Sequence, residues 1–402
     1  MTLKALSRRP RLTVDLNAIR SNYQIIADRL HPARCGAMVK SDAYGLGTLQ
    51  ISQALLDAGC RTFFVSDITE GLALRTVVPR EASIFLLHGL LTPFKSLAIQ
   101  HGLIPVLNSF DQLEAWAMIV DDGGKRMPVA IQIDTGMSQL GFPAEDLVRL
   151  QTAPDLLERL DLRMIMSHLA CAEDNGSYND IQFHRFLSAT SSLPDAELSL
   201  ANSAAILLNS RLHFDIVRSG SAIYGFSHES SPKIAGLHAT VSLHASILQL
   251  RTINPNESVG YGRGFVACRR TRIATLSAGY ADGIPRNFYD GGVVYFGNMP
   301  APVVGYISMN LMTADVSEIP ENMLDVGMQA EIIGPHQSVE QIAHSTGTLC
   351  DELLVRLGGQ CRRIYYDKEE RHYDHADQVG SDKPEDLSPG NRCQPDGSRV
   401  FS

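Results

Sequence analysis

Between residues 37 and 218, short β-rich apolar runs alternate with stretches whose apolar positions recur at helical spacing. The runs fall at 37–39, 62–66, 83–87, 104–107, 129–133, 162–166, 198–200 and 214–217. Segments such as GTLQISQALLDAG and PAEDLVRLQTAPD lie between them and read as helices. Alternating strand and helix predicts a parallel sheet, and eight repeats predict a closed (β/α)8 barrel. A doubly wound open sheet is the alternative. Barrels of this kind carry chemistry at the C-terminal ends of their strands. Here those ends read Lys40, Asp67, His88, Asn108, Asp134, His168, Asn202–Ser203 and Arg218. Polar residues also end purely structural sheets, so the convergence suggests a site without proving one.

The texture changes after residue 237. HATVSLHASILQLRTI, RIATLSAGYA, GGVVYFG, APVVGYISM and MQAEIIGP are short, often alternating runs between Gly, Pro and Asn turns. They predict an antiparallel β domain over 238–367, following a barrel domain over 11–237. The opening RLTVDL is strand-like, precedes a helix at 16–30, and is a candidate partner for the second domain. From 368 to 402 the chain is polar and rich in Gly, Pro, Ser and Asp. Such a segment buries too little surface to offset its ordering entropy and is expected to be disordered.

Composition narrows the functional classes. A formal net charge of −9 leaves no basic excess for a nucleic-acid partner. The seven Cys are widely spaced and never form CxxC, so neither a disulfide framework nor a zinc site is expected. The 13 His show no ligand-like spacing, and no metal is expected. Basic residues near the N-terminus are followed by no apolar signal core. The longest apolar runs are far too short to cross a bilayer. These features predict a cytoplasmic protein with no membrane partner.

One string concentrates the chemistry. In GAMVKSDAYGLG, residues 36–47, a Lys ends an apolar strand, where an isolated ammonium is costly. An ion-paired structural Lys is one reading, and an amine consumed in an imine is another. The whole string resembles the pyridoxal-phosphate signature of the alanine racemase family, Val-Lys-Ala-Asn-Ala-Tyr-Gly-His-Gly. The resemblance extends over about residues 10–367 and implies a set of roles. Lys40 would carry pyridoxal 5′-phosphate as a Schiff base, and Tyr44 would contact its phosphate. IVRSGSAIYGFS resembles the segment that supplies an Arg to the cofactor's pyridine nitrogen, which implies Arg218 there and Gly220 and Ser221 on the phosphate. Ser203 in LANSAA suits the same phosphate, and His168 in MSHLACAED would pack near the ring. SVGYGRGF resembles the segment bearing a second catalytic base, Tyr261, opposite Lys40. SAGYADGIPR and VGYISMNLM imply that Tyr280 and Met309 line the substrate path. The resemblance therefore implies an amino-acid racemase with alanine as its default substrate. It also implies a head-to-tail homodimer in which Tyr261, Tyr280 and Met309 act across the interface. A non-catalytic cofactor-binding barrel and a related decarboxylase are the alternatives; the complete β domain and Tyr261 speak against the first, and the GYGRGF and GYADG segments against the second.

The chain departs from the family pattern at four places. Gln132 stands where a Lys, often carbamylated, is usual, and Gln139 where an Arg usually reaches the substrate carboxylate. Asn310 replaces an Asp, and Gly359 stands where some members place a phosphate-binding Tyr. The first two losses are coherent, because an anionic carbamate without its Arg would be an uncompensated charge. Replacing a charge-assisted hydrogen bond by a neutral one should weaken carboxylate binding by roughly 1 kcal/mol. Gln139 therefore predicts either weaker alanine binding than in an Arg-bearing relative or a shifted substrate. Equal dissociation constants for alanine, measured side by side, would refute this.

Overall fold

The computed structural model describes residues 9–118, 126–152, 154–174, 176–227 and 233–367. The polar segment 368–402 lies outside them. The first strand, β1 (Arg11–Asp15), leads directly into the helix Leu16–Leu30, whose N-terminus is capped by the Asp15 carboxylate. Eight parallel strands follow: β2 (Arg34–Met38), β3 (Thr62–Val65), β4 (Ser83–Leu86), β5 (Leu103–Leu107), β6 (Met127–Gln132), β7 (Leu160–Met166), β8 (Glu197–Ser199) and β9 (Ile216–Ser219). They pair in the order β8-β7-β6-β5-β4-β3-β2-β9. The seam between β8 and β9 closes through the Asp215 N–H to the Leu198 carbonyl at 3.1 Å and the Arg218 N–H to the Ala201 carbonyl at 3.0 Å. The sheet is a barrel, and the open-sheet alternative fails.

Side chains alternate about each strand with period 2. One set faces the helices and joins the large outer core, for example Ala37, Val129, Ile165 and Val217. The other set fills the barrel: Met38, Phe64, Phe85, Ile104, Val106, Ala130, Met164, Met166 and Ile216. The barrel is thus a packed plug rather than a pore, and its C-terminal mouth holds a cavity.

The second sheet is mostly antiparallel. Its long strand Val241–Ile253 pairs antiparallel with Thr271–Leu276, Gln329–Ile333 and β1, while β1 pairs in parallel with Arg362–Tyr366. Three details differ from the sequence reading. The last barrel strand begins two residues later than expected, at Ile216, because Phe214 takes a φ of +49° and turns the chain. Arg218 is consequently inside the strand rather than beyond its end. The run APVVGYISM is a strand only at its start, in Met299–Pro302. It ends in a turn closed by the Ser308 N–H to the Leu311 carbonyl at 2.9 Å, which projects Met309 outward. Finally, two helices, Val339–Thr346 and Cys350–Gln360, pack against each other where only strands were expected. Among the described residues no helix is long and apolar enough to cross a membrane.

Candidate active site

The period of 2 that fills the barrel also delivers the site. Met38, Met166 and Ile216 point inward, so Lys40, His168 and Arg218, each two positions further on, project toward the same interior at the mouth. Gln132 follows Ala130 in the same way. These residues line one cavity of about 260 Å³, floored by Met38 and Met166 and edged by Ser66, His88 and Gln139.

Arg218 is only 2% exposed. Its Nη1 donates to the Ser199 carbonyl at 3.0 Å and to Ser199 Oγ at 2.7 Å. Its Nη2 donates to the Ser167 carbonyl at 2.6 Å and to His168 Nδ1 at 3.1 Å. These acceptors are all neutral. Burial pulls the guanidinium down to about 10, which leaves it protonated at neutral pH. The same burial, reinforced by the positive charges of Arg218 and Lys40, pushes His168 down to about 3. His168 is therefore a neutral imidazole that accepts at Nδ1 and carries its proton on Nε2. Gln182, which is fully buried, fixes the loop behind it by donating to the His168 carbonyl at 2.9 Å and to Thr135 Oγ1 at 3.0 Å.

Beside this cavity lies a small polar cup. Ser203 Oγ receives the backbone N–H groups of Gly220 at 2.8 Å and Ala222 at 3.3 Å, and lies 3.3 Å from Ser219 Oγ. Tyr44 stands over it, and a Cβ on Gly220 would collide with the Tyr44 hydroxyl. Burial raises the Tyr44 phenol, so it remains a hydroxyl donor at any working pH. Ser221 is buried at the rim. Converging backbone N–H groups and hydroxyls form the kind of concavity that holds an anion.

Lys40 itself opens an unusual turn. Ser41, Asp42, Ala43 and Tyr44 all adopt left-handed backbone conformations, with φ between 52° and 58°. Each non-glycine residue so placed costs about 1–2 kcal/mol, so the surrounding structure must hold the turn.

The remaining expected site residues lie on the second sheet. Tyr261 is 76% exposed, Met309 57% and Tyr280 44%. The last two are tied together, since the Tyr280 N–H donates to the Ser308 carbonyl at 3.0 Å and the Ala281 N–H to the Met309 carbonyl at 2.8 Å. None of the three lines the Lys40 cavity. Tyr261 and Tyr280 instead line a separate cleft of about 840 Å³ with Arg286, Tyr306 and Gly359. Within one chain, then, the structure brings Lys40, Tyr44, His168, Ser203, Arg218, Gly220, Ser221 and Gln139 to the barrel mouth, and leaves Tyr261, Tyr280 and Met309 apart from it.

The departures also have structural consequences. Gln132 Nε2 donates to the Leu140 carbonyl at 3.1 Å, so a neutral amide fastens the loop that carries Gln139. Asp134 pins the start of that loop by accepting the N–H groups of Gly136, Met137 and Ser138. Asn310 hydrogen-bonds Asp282, whose carboxyl is raised above its ordinary value by burial. A second carboxylate at 310 would face that buried acid. A side chain at Gly359 would meet no atom within 4 Å, so the cleft has an open wall there.

Comparison with known proteins agrees with this arrangement. Residues 14–228 match the family model described as alanine racemase, N-terminal domain, and residues 240–365 match alanine racemase, C-terminal domain. The chain is 38% identical to an alanine racemase of Brucella abortus, over 88% of this chain and 93% of that protein. It is also 38% identical to a catabolic alanine racemase of Agrobacterium fabrum, over 88% and 91%. Among solved structures, alanine racemase from Bartonella henselae with covalently bound pyridoxal phosphate superposes with a TM-score of 0.84 at 39% identity, covering 89% of this chain and 99% of that one. Biosynthetic alanine racemase from Pseudomonas aeruginosa gives 0.81 at 34% identity, covering 90% and 100%. With both of its parts matched along nearly their whole length, the chain belongs to the alanine racemase family.

Proposed function

We propose that this protein is a pyridoxal-phosphate-dependent racemase that interconverts L- and D-alanine, with Lys40 and Tyr261 as its two proton-transfer groups. The observation that carries the proposal is the barrel-mouth cavity, in which Lys40 shares one space with a buried, charged Arg218 and a neutral His168. The site fits the cofactor on its own chemistry. The cup of Tyr44, Ser203, Gly220 and Ser221 suits a phosphate. Arg218 is a permanent donor suited to an unprotonated ring nitrogen, and His168 offers a neutral, apolar-sided wall. Pyridoxal phosphate bound there supplies the electron sink that makes an α-proton acidic. A sink facing Arg218, which does not protonate the ring nitrogen, is comparatively weak and favours simple return of the proton over side reactions.

The chain's own residues then divide the work. Racemisation needs a proton taken from one face of Cα and returned to the other, so two groups on opposite faces suffice. The Lys40 amine serves the barrel side. Tyr261 serves the other side from a second copy of the chain, joined head to tail, together with Tyr280 and Met309. The exposure of these three large side chains, with Leu311 beside them, supports a covering partner. Gln139 lines the cavity as a neutral hydrogen-bonding group for the substrate carboxylate. The relatives named above favour alanine despite that substitution, and matches over both parts of the chain disfavour a binding-only barrel. The barrel unit is taken as 11–237 and the β unit as 238–367.

The enantiomers have equal free energy in water, so any variant must change kcat/KM equally in both directions. Tyr261→Phe should slow racemisation by roughly 10²–10⁴-fold both ways. Lys40 should continue to exchange the α-proton of one enantiomer with deuterated solvent, without inversion. Undiminished racemisation by this variant would rule out the two-group scheme. A shared site makes a second prediction. Mixing inactive Lys40→Ala and Tyr261→Phe chains, with exchange of subunits, should restore about a quarter of wild-type activity, because half the dimers are mixed and each holds one intact site. No recovery would mean that each site is built within one chain. The third prediction concerns acid. The His168 value lies below its unfolded value of about 6.5, so folding favours the neutral ring. That contribution is complete above pH ~6.5 and is lost as the pH falls toward about 3. Cofactor-free His168→Gln protein should lose less stability than wild type between pH 6.5 and 4 in urea titrations, and parallel losses would contradict the assignment.

A further inference from the structure

The turn that follows Lys40 does not choose its own hand. Its internal bonds, such as the Gly45 N–H to the Ser41 carbonyl at 2.8 Å, have the same i to i+4 spacing as those of a right-handed turn. A right-handed turn would be less strained for these four residues. Contacts from outside the turn must therefore favour the left hand, and two charged side chains bond to it from opposite sides.

Glu70, half-buried in the helix Ile68–Arg75, divides its carboxylate between two strand ends. Oε1 accepts the Ser41 N–H at 2.6 Å, and Oε2 accepts the Ser66 N–H at 2.8 Å. The first residue of the turn is thus tied to the end of β3. Arg363, on the strand Arg362–Tyr366 of the second sheet, reaches the other side. Its Nη1 donates to the Asp42 carboxylate and to the Gly45 carbonyl, the latter at 2.9 Å. Asp42 is held in turn, since Oδ1 accepts the Thr48 N–H at 2.8 Å. The Tyr365 hydroxyl donates to the Leu46 carbonyl at 3.0 Å, and Gly358 packs so closely on the Gly45 carbonyl that no Cβ would fit.

We propose that Glu70 and Arg363 are positioning residues for Lys40: together they lock the left-handed turn and so aim the Lys40 amine into the barrel mouth. Neither lines the Lys40 cavity. A lysine has four rotatable carbons and a compact charge, so its own packing sets its direction poorly. The backbone at its Cα must supply that direction. The proposal rests on the reading of Lys40 as cofactor anchor and proton-transfer group.

The test uses full-length Glu70→Gln and Arg363→Met chains, with Arg363→Lys as the conservative control. Gln keeps the size of Glu but presents an NH₂ to one of two backbone donors, so only one can be satisfied. Three measurements are compared with wild type: deuterium uptake by the 38–48 segment of the cofactor-free chain, the rate at which added pyridoxal phosphate attaches to Lys40, and steady-state racemisation per cofactor-loaded site. A misplacement of about 1 Å costs on the order of 10²-fold in rate, so kcat should fall roughly 10- to 100-fold. KM should move by less than about threefold, as expected when substrate contacts are intact. Uptake in 38–48 should rise while the remaining barrel peptides stay at wild-type levels, attachment should slow, and Arg363→Lys should recover part of each loss. The proposal is overturned if the variants match wild type. It is also overturned if uptake rises throughout the barrel with kcat per loaded site unchanged, or if local uptake and kcat do not change together. Mass spectrometry of the reduced wild-type adduct separates the two layers of the argument. Attachment to another lysine, or wild-type protein without racemase activity, would refute the reading of Lys40, while the uptake comparison would still decide whether Glu70 and Arg363 hold the turn.

Discussion

A guanidinium buried in a barrel with only neutral acceptors around it constrains everything near it. An unpaired buried charge is tolerated only when most of its donors find an oxygen or nitrogen in the right place. Arg218 finds them at the ends of β7 and β8, on Ser167, His168 and Ser199. Those strand ends must therefore stop in fixed register at the seam where the barrel closes. Burial keeps His168 neutral, and the Arg218 charge reinforces it, because a second cation 3.1 Å away would be repelled in a medium that screens poorly. That charge also preserves a permanent hydrogen-bond donor inside the cavity that Lys40 enters. One side chain on the inward face of β9 thus ties the register of the seam to the neutral imidazole beside it.

Much of this was legible in the chain. All eight barrel strands lie where apolar runs predicted them, since parallel strands buried on both faces read as continuous apolar segments. The helix Leu16–Leu30 is also visible in its own periodicity. Boundaries slipped where pairing recruits residues with no apolar signal, as when Arg34 and Gly36 of β2 pair with Ile216 and Arg218 of β9. The helices Val339–Thr346 and Cys350–Gln360 were overlooked even though Ser338 and Gln341 form a capping box, a signal that local inspection could have found. Glu70 and Arg363 are a different matter. They meet the Lys40 turn across 29 and 321 residues, and no local pattern encodes a contact of that range. Gln182, whose amide reaches Thr135 across 47 residues, carries no local signal for the same reason. Each is an ordinary polar residue until the fold places backbone groups around it.

The departures from the family pattern share one physical direction. Gln132, Gln139 and Asn310 each put a neutral amide where a charge is usual, and each amide or its neighbour has a place in the structure. Gln132 holds the Leu140 carbonyl, and Asn310 bonds a carboxyl already strained by burial at Asp282. Removing one member of a buried charge set leaves the others uncompensated, whereas removing them together leaves a lower-polarity site that remains satisfied. In the Lys40 cavity, Gln132 and Gln139 thus contribute neutral amides beside the charges of Lys40 and Arg218.

The geometry of the barrel explains why a site of this kind would be built from two chains. The plug of Met38, Phe64, Met166 and Ile216 seals the mouth from below, so every group a barrel strand offers approaches a ligand from the same side. Lys40 takes that side. A group on the opposite face cannot belong to the same strand ends, and it must descend from outside the mouth on a separate support. The second sheet carries an exposed phenol on a short turn, but carries it away from its own barrel cavity. A rotation axis relating two chains would resolve this, because a head-to-tail pair would place the exposed face of each sheet over the mouth of the other and serve both sites with one surface. The requirement for bases on opposite faces, met by a fold that offers only one, is in this sense an argument for the dimer drawn from the reaction itself.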